Sequence, residues 1–144
     1  MKISTKGRYA VRLMLDLASY NTGNPVALKD IAKRQEVSEK YLEQIISILN
    51  RAGFVKSVRG AQGGYILTKK PGEYSVGSIL RLTEGELVPV DCVLEGRGSC
   101  NRGNSCVTYG VWEKLYQAIS EVVDSITLET LMEWQNELVD NYSI

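Results

Sequence analysis

Ser38-Glu-Lys-Tyr-Leu-Glu-Gln-Ile-Ile-Ser-Ile-Leu-Asn-Arg-Ala-Gly53 is the stretch on which the fold turns. Leu42, Ile45, Ile46 and Leu49 recur at i, i+3, i+4 and i+7, the apolar stripe of a helix with one buried face. Lys40, Glu43, Gln44 and Ser47 repeat that spacing on the other side, so a second, hydrogen-bonding face points away from the core. Ser38 offers a hydroxyl to cap the start and Gly53 ends the helix. Upstream, Leu28, Ile31 and Ala32 predict a short helix ended by Gln35, Glu36 and Val37, so two helices meet through a tight turn. A pair of this kind, the second helix carrying a polar face, is the helix-turn-helix arrangement that lays a helix in the major groove. Gln44 can pair bidentately with adenine, and Lys40 can reach guanine or phosphate. Glu43 can accept from cytosine N4 or repel phosphate at a wrong site. An ordinary solvated helix face would carry the same residues; the segment that follows favours the reading face.

Downstream, Phe54-Val-Lys-Ser-Val58 reads as a strand and Tyr65-Ile-Leu-Thr68 as its partner, with Arg59-Gly-Ala-Gln-Gly-Gly64 between them. A hairpin directly after a recognition helix, with Arg59 at its tip and Gly60 letting the backbone approach closely, is a DNA-reading wing. Arg59 would enter the minor groove or clamp phosphate; the bland alternative is a plain hairpin with an exposed arginine. Before the pair of helices, Tyr9, Ala10, Leu13, Met14, Leu17 and Ala18 form the one-sided stripe of a helix from Thr5 to Tyr20, stopped by Asn21-Thr-Gly-Asn-Pro25.

Charge agrees with this division. The 144 residues carry no net charge, yet residues 1–75 hold thirteen Lys and Arg against six Asp and Glu, and the remainder holds four against eleven. A basic half (+7) joined to an acidic half (−7) suits a phosphate-binding unit carried by an assembly or sensing unit, although solvated faces can differ by chance. No secretion signal opens the chain and no eighteen-residue apolar run occurs, so a cytoplasmic protein without membrane contact is expected.

Cys92, Cys100 and Cys106 are the only cysteines, all within one stretch rich in Gly96, Gly98, Gly103, Asn101 and Asn104. A disulfide framework is not expected of an odd number in a reducing compartment. A loop that is neither helix nor strand could wrap three thiolates around a soft metal centre. The C-x7-C-x5-C spacing matches neither zinc ribbons nor ferredoxin runs, and structural zinc or idle thiols are the alternatives. After the loop, Val111, Trp112, Leu115, Ile119, Val122 and Val123 fall on one face of a helix running from Thr108 to about Ser125. Such a stripe is buried most simply against the same helix of a second subunit, in a twofold dimer. Thr127 caps a last helix carrying Leu128, Leu131, Met132, Trp134 and Leu138, which packs onto the body or the partner. Both stripes could instead be intramolecular core.

Lys6-Gly-Arg-Tyr-Ala10, Tyr41-Leu-Glu-Gln44 and Val58-Arg-Gly-Ala-Gln-Gly-Gly-Tyr65 together resemble the winged-helix bacterial repressor family that includes the iron-sulfur cluster assembly regulator, over Met1 to about Leu138. The resemblance implies a mainly α fold with a small β-hairpin wing and a long dimerisation helix, and a homodimer on a palindromic double-stranded DNA operator. It implies that Glu43, Gln44 and Arg59 contact DNA, and Lys40, Tyr41, Ser47, Gly60 and Arg8 complete the candidate set. It also implies Cys92, Cys100 and Cys106 as ligands of an iron-sulfur cluster, [2Fe-2S] or [4Fe-4S]. Where that regulator has a histidine as fourth ligand this chain has Tyr109, a hard donor, and no histidine exists anywhere in the sequence. Asp91, Glu95, a partner carboxylate or a small thiol could complete the site.

The expected division is a winged helix-turn-helix over 1–75, a connecting helix and cysteine loop over 76–107, and dimerisation and C-terminal helices over 108–144. The function expected is cluster-dependent repression of cluster assembly genes. Nitric-oxide sensing and control of cysteine metabolism are alternatives on the same fold, and an iron-sulfur electron carrier is one of another class. No P-loop, G-x-S-x-G or H-E-x-x-H occurs and the usual general base is missing, so neither an enzyme nor a small-molecule substrate is expected.

Overall fold

The computed structural model describes residues 1–142. Its elements are α1 (Thr5–Ser19), α2 (Leu28–Gln35), α3 (Glu39–Arg51), β1 (Val55–Val58), β2 (Gly64–Leu67), α4 (Val76–Glu84), α5 (Asp91–Glu95), α6 (Tyr109–Ser125) and α7 (Leu128–Tyr142), with 3-10 turns at Pro71–Glu73, Arg97–Ser99 and Gly103–Ser105. Hydroxyls mark several helix starts. Ser4, Ser38 and Ser75 accept from the amides of Gly7, Tyr41 and Ser78, satisfying donors that the first turn leaves unpaired. Thr127 does the same for Thr130 at 3.1 Å, as its position in the sequence predicts.

One apolar core joins α1–α4, the hairpin and the start of α7. Leu13, Met14 and Leu17 of α1 meet Ile31 of α2 and Leu42, Ile45 and Leu49 of α3, all fully or almost fully buried. Burying each such side chain contributes on the order of 1.5–3 kcal/mol before chain entropy is counted. Ile79 of α4 and Leu128 of α7 enter the same core, so the acidic half supplies part of the support for the helix pair. Between α2 and α3 the chain turns through Glu36, whose φ of 56° is the left-handed conformation that ends a helix sharply.

β1 and β2 pair antiparallel with Val55 opposite Leu67 and Val58 opposite Gly64, one residue displaced from the span expected for the second strand. A third segment joins them: Val26 and Tyr65 exchange backbone hydrogen bonds of 2.9 Å in each direction. A side chain on Gly64 would collide with the Val26 carbonyl oxygen, so this close approach requires glycine. The link ties the wing to the connection before α2.

α6 packs on α4 and α5, but within one chain only Tyr109 of this helix is buried. Val111, Leu115 and Val122 are exposed and Trp112, Ile119 and Val123 half-buried, so most of the predicted stripe is not intramolecular core. In α7, Leu128 is buried and Leu131 and Met132 pack against the core, whereas Trp134 and Leu138 are exposed. The expected return of α7 onto the body therefore holds for its N-terminal turns. Among the described residues no helix is long and apolar enough to cross a membrane.

Candidate nucleic-acid interface and cysteine loop

The two stripes of α3 separate as the spacing predicts. Leu42, Ile45, Ile46 and Leu49 are buried, and Lys40, Glu43, Gln44 and Ser47 are exposed. Ser47 lies within 3.5 Å of Arg51 Nη2, one turn on. Tyr41 departs from this face: it is half-buried, its ring edge-on to that of Tyr9 with centroids 5.8 Å apart. The structure thus gives Tyr41 a packing role, holding the first turn of α3 to α1. Arg12 lies over the opposite partner of that stack, 4.8 Å from the Tyr9 centroid.

Arg59 and Gly60 are exposed in the wing, Gly60 with φ of 122°, a conformation that side-chain-bearing residues rarely adopt. Arg8 is exposed on α1, where Nη2 donates to Thr5 Oγ1 at 3.2 Å. Among the described residues Lys40, Arg8 and Arg59 form no ion pair, which leaves three cations available to phosphate.

Two supports were not evident from the sequence. Tyr74 is buried and its hydroxyl donates to the Phe54 carbonyl (2.8 Å) while accepting from the amides of Thr68 (3.0 Å) and Lys69 (2.9 Å). This hydroxyl closes the base of the wing together with that of Thr68, which donates to the Gly53 carbonyl at 2.7 Å. Asp16, whose side chain is only 2% exposed, accepts from Arg34 Nε (3.0 Å) and Nη2 (2.7 Å) and from Gln35 Nε2 (3.0 Å), pinning the end of α2 to α1. That carboxylate raises the Arg34 pKa, chiefly through the hydrogen bond. Its signal in the sequence was a charge lying between Leu13 and Leu17 on the apolar side of α1.

The cysteine segment is more regular than its glycines suggest. Asp91-Cys-Val-Leu-Glu95 forms α5, because Asp91 favours the positive end of the helix and four residues pass before Gly96 breaks it at φ of 93°. The 3-10 turns Arg97–Ser99 and Gly103–Ser105 follow. The expectation of a segment without helix is corrected accordingly. Arg97 holds the loop, donating from Nη1 to the carbonyls of Gly103 (2.9 Å) and Cys106 (3.2 Å) and lying 4.3 Å over the Tyr109 ring. A side chain at Gly103 would collide with the Arg97 carbonyl oxygen.

All three thiols are free; Cys92 and Cys106 are half-buried and Cys100 is exposed. The hydrogen bond with Thr108, then that with the Tyr109 amide, lowers the Cys106 pKa and favours its thiolate. In donor chemistry the set fits a soft metal centre: three sulfurs on one segment, with Asp91 and Glu95 exposed beside Cys92. In geometry it is not assembled, since among the described residues no three Cys, Asp or Glu side chains are gathered closely enough to hold a metal ion. Tyr109 is buried beneath Arg97.

Comparison with known proteins places this arrangement. Residues 3–134 match the Rrf2 family, described as iron-dependent transcriptional regulators. The HTH-type transcriptional regulator CymR of Bacillus subtilis is 45% identical over 131 residues, covering 91% of this chain and 89% of CymR. The HTH-type transcriptional regulator IscR of Vibrio campbellii is 41% identical over 140 residues, covering 97% of this chain and 82% of that protein. Among solved structures, T. potens IscR superposes with a TM-score of 0.77 at 47% identity, over 96% of this chain and 90% of that one. CymR of B. subtilis, described as its global cysteine regulator, gives 0.78 at 41% identity, over 93% and 98%. A winged helix-turn-helix with an exposed polar face on α3, together with these similarities, shows that the chain belongs to the Rrf2 family of DNA-binding transcriptional regulators.

Proposed function

We propose that this regulator acts as a homodimeric repressor on a palindromic operator, and that an iron-sulfur cluster held by Cys92, Cys100 and Cys106 sets its hold on DNA. The observation that carries the reading is the placement of three free thiols on one segment that runs directly into α6, the helix with an uncovered apolar stripe. When bound, a cluster would supply a centre sensitive to redox state and to iron supply. This chain's own residues do the rest. Lys40, Glu43, Gln44 and Ser47 of α3 present to the major groove, and Arg59 from the wing to the minor groove or backbone. Val111, Leu115 and Val122 pair with their copies across the twofold axis, which fixes the separation of the two α3 helices. Any rearrangement of the cysteine loop pulls on the start of α6, and so on that separation. Cluster assembly genes in the cytoplasm are the proposed targets.

Forty-five per cent identity to CymR favours a second reading, in which the same scaffold reports cysteine availability without a cluster. Purification without oxygen, followed by the visible spectrum and by iron and acid-labile sulfide per chain, separates the two. Colour with matched iron and sulfide, lost in Cys100→Ala while the dimer stays folded, supports the cluster and gives its type by stoichiometry. A colourless protein that cannot be reconstituted but still binds its operator supports the cysteine reading. Release of the operator by nitric oxide, with no response to iron supply, would identify nitric oxide as the signal.

A further inference from the structure

α1, α2 and α7 line an open surface cavity of about 490 Å³ bordered by Arg12, Asp16, Ser19, Arg34, Gln35 and Gln135. Its size falls in the ~300–1,000 Å³ range of small-molecule sites. Neither DNA reading nor cluster chemistry uses it.

Most of the hydrogen-bonding capacity left over in this cavity is donor capacity, beside the hydroxyls of Ser19 and Tyr20. Asp16, the buried carboxylate, is taken up by Arg34 Nε and Nη2 and by Gln35 Nε2. Gln35 Oε1 accepts from Arg12 Nε at 2.9 Å, and Gln135 Oε1 accepts from Ser19 Oγ at 3.0 Å. The side-chain oxygens of Asp16, Gln35 and Gln135 are thus already matched. Among the described residues both Nη atoms of Arg12, Nη1 of Arg34 and Nε2 of Gln135 are unmatched donors. Two guanidinium groups face one carboxylate, so the cavity carries an excess of one positive charge. The geometry is also fixed in advance: Arg34 is held by Asp16 and lies 3.9 Å over the Tyr20 ring, and Arg12 is held by Gln35 and Tyr9. The two Nη atoms of Arg12, held in place and without partners, can take an oxyanion through paired hydrogen bonds, and Arg34 Nη1 can donate a further one.

We infer that this cavity is an effector site for a small oxyanion, a phosphate or a dicarboxylate, bridging Arg12 of α1, Arg34 of α2 and Gln135 of α7. An occupant there would tie the C-terminal helix to the first helix of the helix-turn-helix pair. DNA is a second source of the same chemistry, since a backbone phosphate offers the same oxygens.

The test uses the full dimeric chain with inorganic phosphate and with succinate, added at constant ionic strength against chloride, and follows Tm and operator binding. A saturable rise in Tm with either anion is expected. Arg12→Gln should weaken that binding about ten- to a hundredfold, as loss of charge-assisted bonds implies, and Arg12→Lys should retain part of it. Arg12 is exposed, so Arg12→Gln is expected to fold, and circular dichroism checks this. No saturable response, or an equal one in Arg12→Gln, overturns the proposal. A loss of operator affinity in Arg12→Gln, with a salt slope lower by about one and no anion response, would assign the cation to backbone phosphate and also overturn it.

Discussion

The Tyr74 hydroxyl lies 2.8 Å from the Phe54 carbonyl oxygen, and through that contact the residue just before the wing is held by a residue just after it. The two rings also meet edge to face at 5.5 Å. Strands this short are marginal alone, so the wing depends on its base for its aim. Tyr74→Phe leaves the Lys69 amide without its partner, and leaves the Phe54 carbonyl and the Thr68 amide with only the long 3.4 Å bonds made by Thr68. It should cost about 1–3 kcal/mol in urea unfolding and should weaken operator binding beyond what the stability loss predicts.

Asp16→Ala strips Arg34 and Gln35 of their common acceptor. Breaking a buried pair costs about 3–5 kcal/mol; the lower end is expected because Arg34 remains 30% exposed. Equilibrium denaturation measures it. A change below about 1 kcal/mol would show that α2 is held by its apolar contacts alone.

Gln44→Ala and Arg59→Ala separate base reading from general attachment. If Gln44 pairs with adenine, its loss should cost about 1–3 kcal/mol and relax specificity at one position of each half-site. Arg59→Ala should weaken binding by a similar amount, about 1–3 kcal/mol if it reads bases, or lower the salt slope by about one if it contacts phosphate only. Titrations on operator variants at several salt concentrations decide between these, and unchanged affinity would remove the wing from the interface.

Arg81 of α4 and Asp124 of α6 form a bidentate pair of 2.6 and 3.0 Å, and the hydrogen bond from Arg81 holds the Asp124 carboxyl below its usual pKa. A carboxyl with a folded pKa below its unfolded one adds stability that is fully present above the unfolded value, about 4. That stability is lost as pH falls through the lower, folded value. Stability measured from pH 7 to pH 3 should therefore fall less steeply at the acid end in Asp124→Asn. The effect should be small, since Asp124 is 46% exposed.

Leu115 is 43% exposed in a single chain, at the centre of the α6 stripe. Leu115→Glu should give a folded monomer by sedimentation, with operator affinity reduced to that of one half-site. A dimer unchanged by this substitution would place the twofold contact elsewhere.

The sequence by itself determined the helix-turn-helix pair and the two faces of α3. Those features are periodic and local: Leu42, Ile45, Ile46 and Leu49 mark one side, and Ser38 and Gly53 mark the ends. It also located the hairpin and the three cysteines. Tertiary structure alone decided what those elements rest on. Val26 pairing with Tyr65, Asp16 with Arg34 and Tyr74 with Phe54 are each contacts between segments whose residue types do not specify a partner. It also decided that Tyr41 packs on Tyr9 rather than standing with the exposed face, and that α5 forms where glycines suggested none. Local propensity sets the period and the ends of an element, but the partner of a buried polar group is set by which surfaces the core brings together, and only the folded chain contains that information.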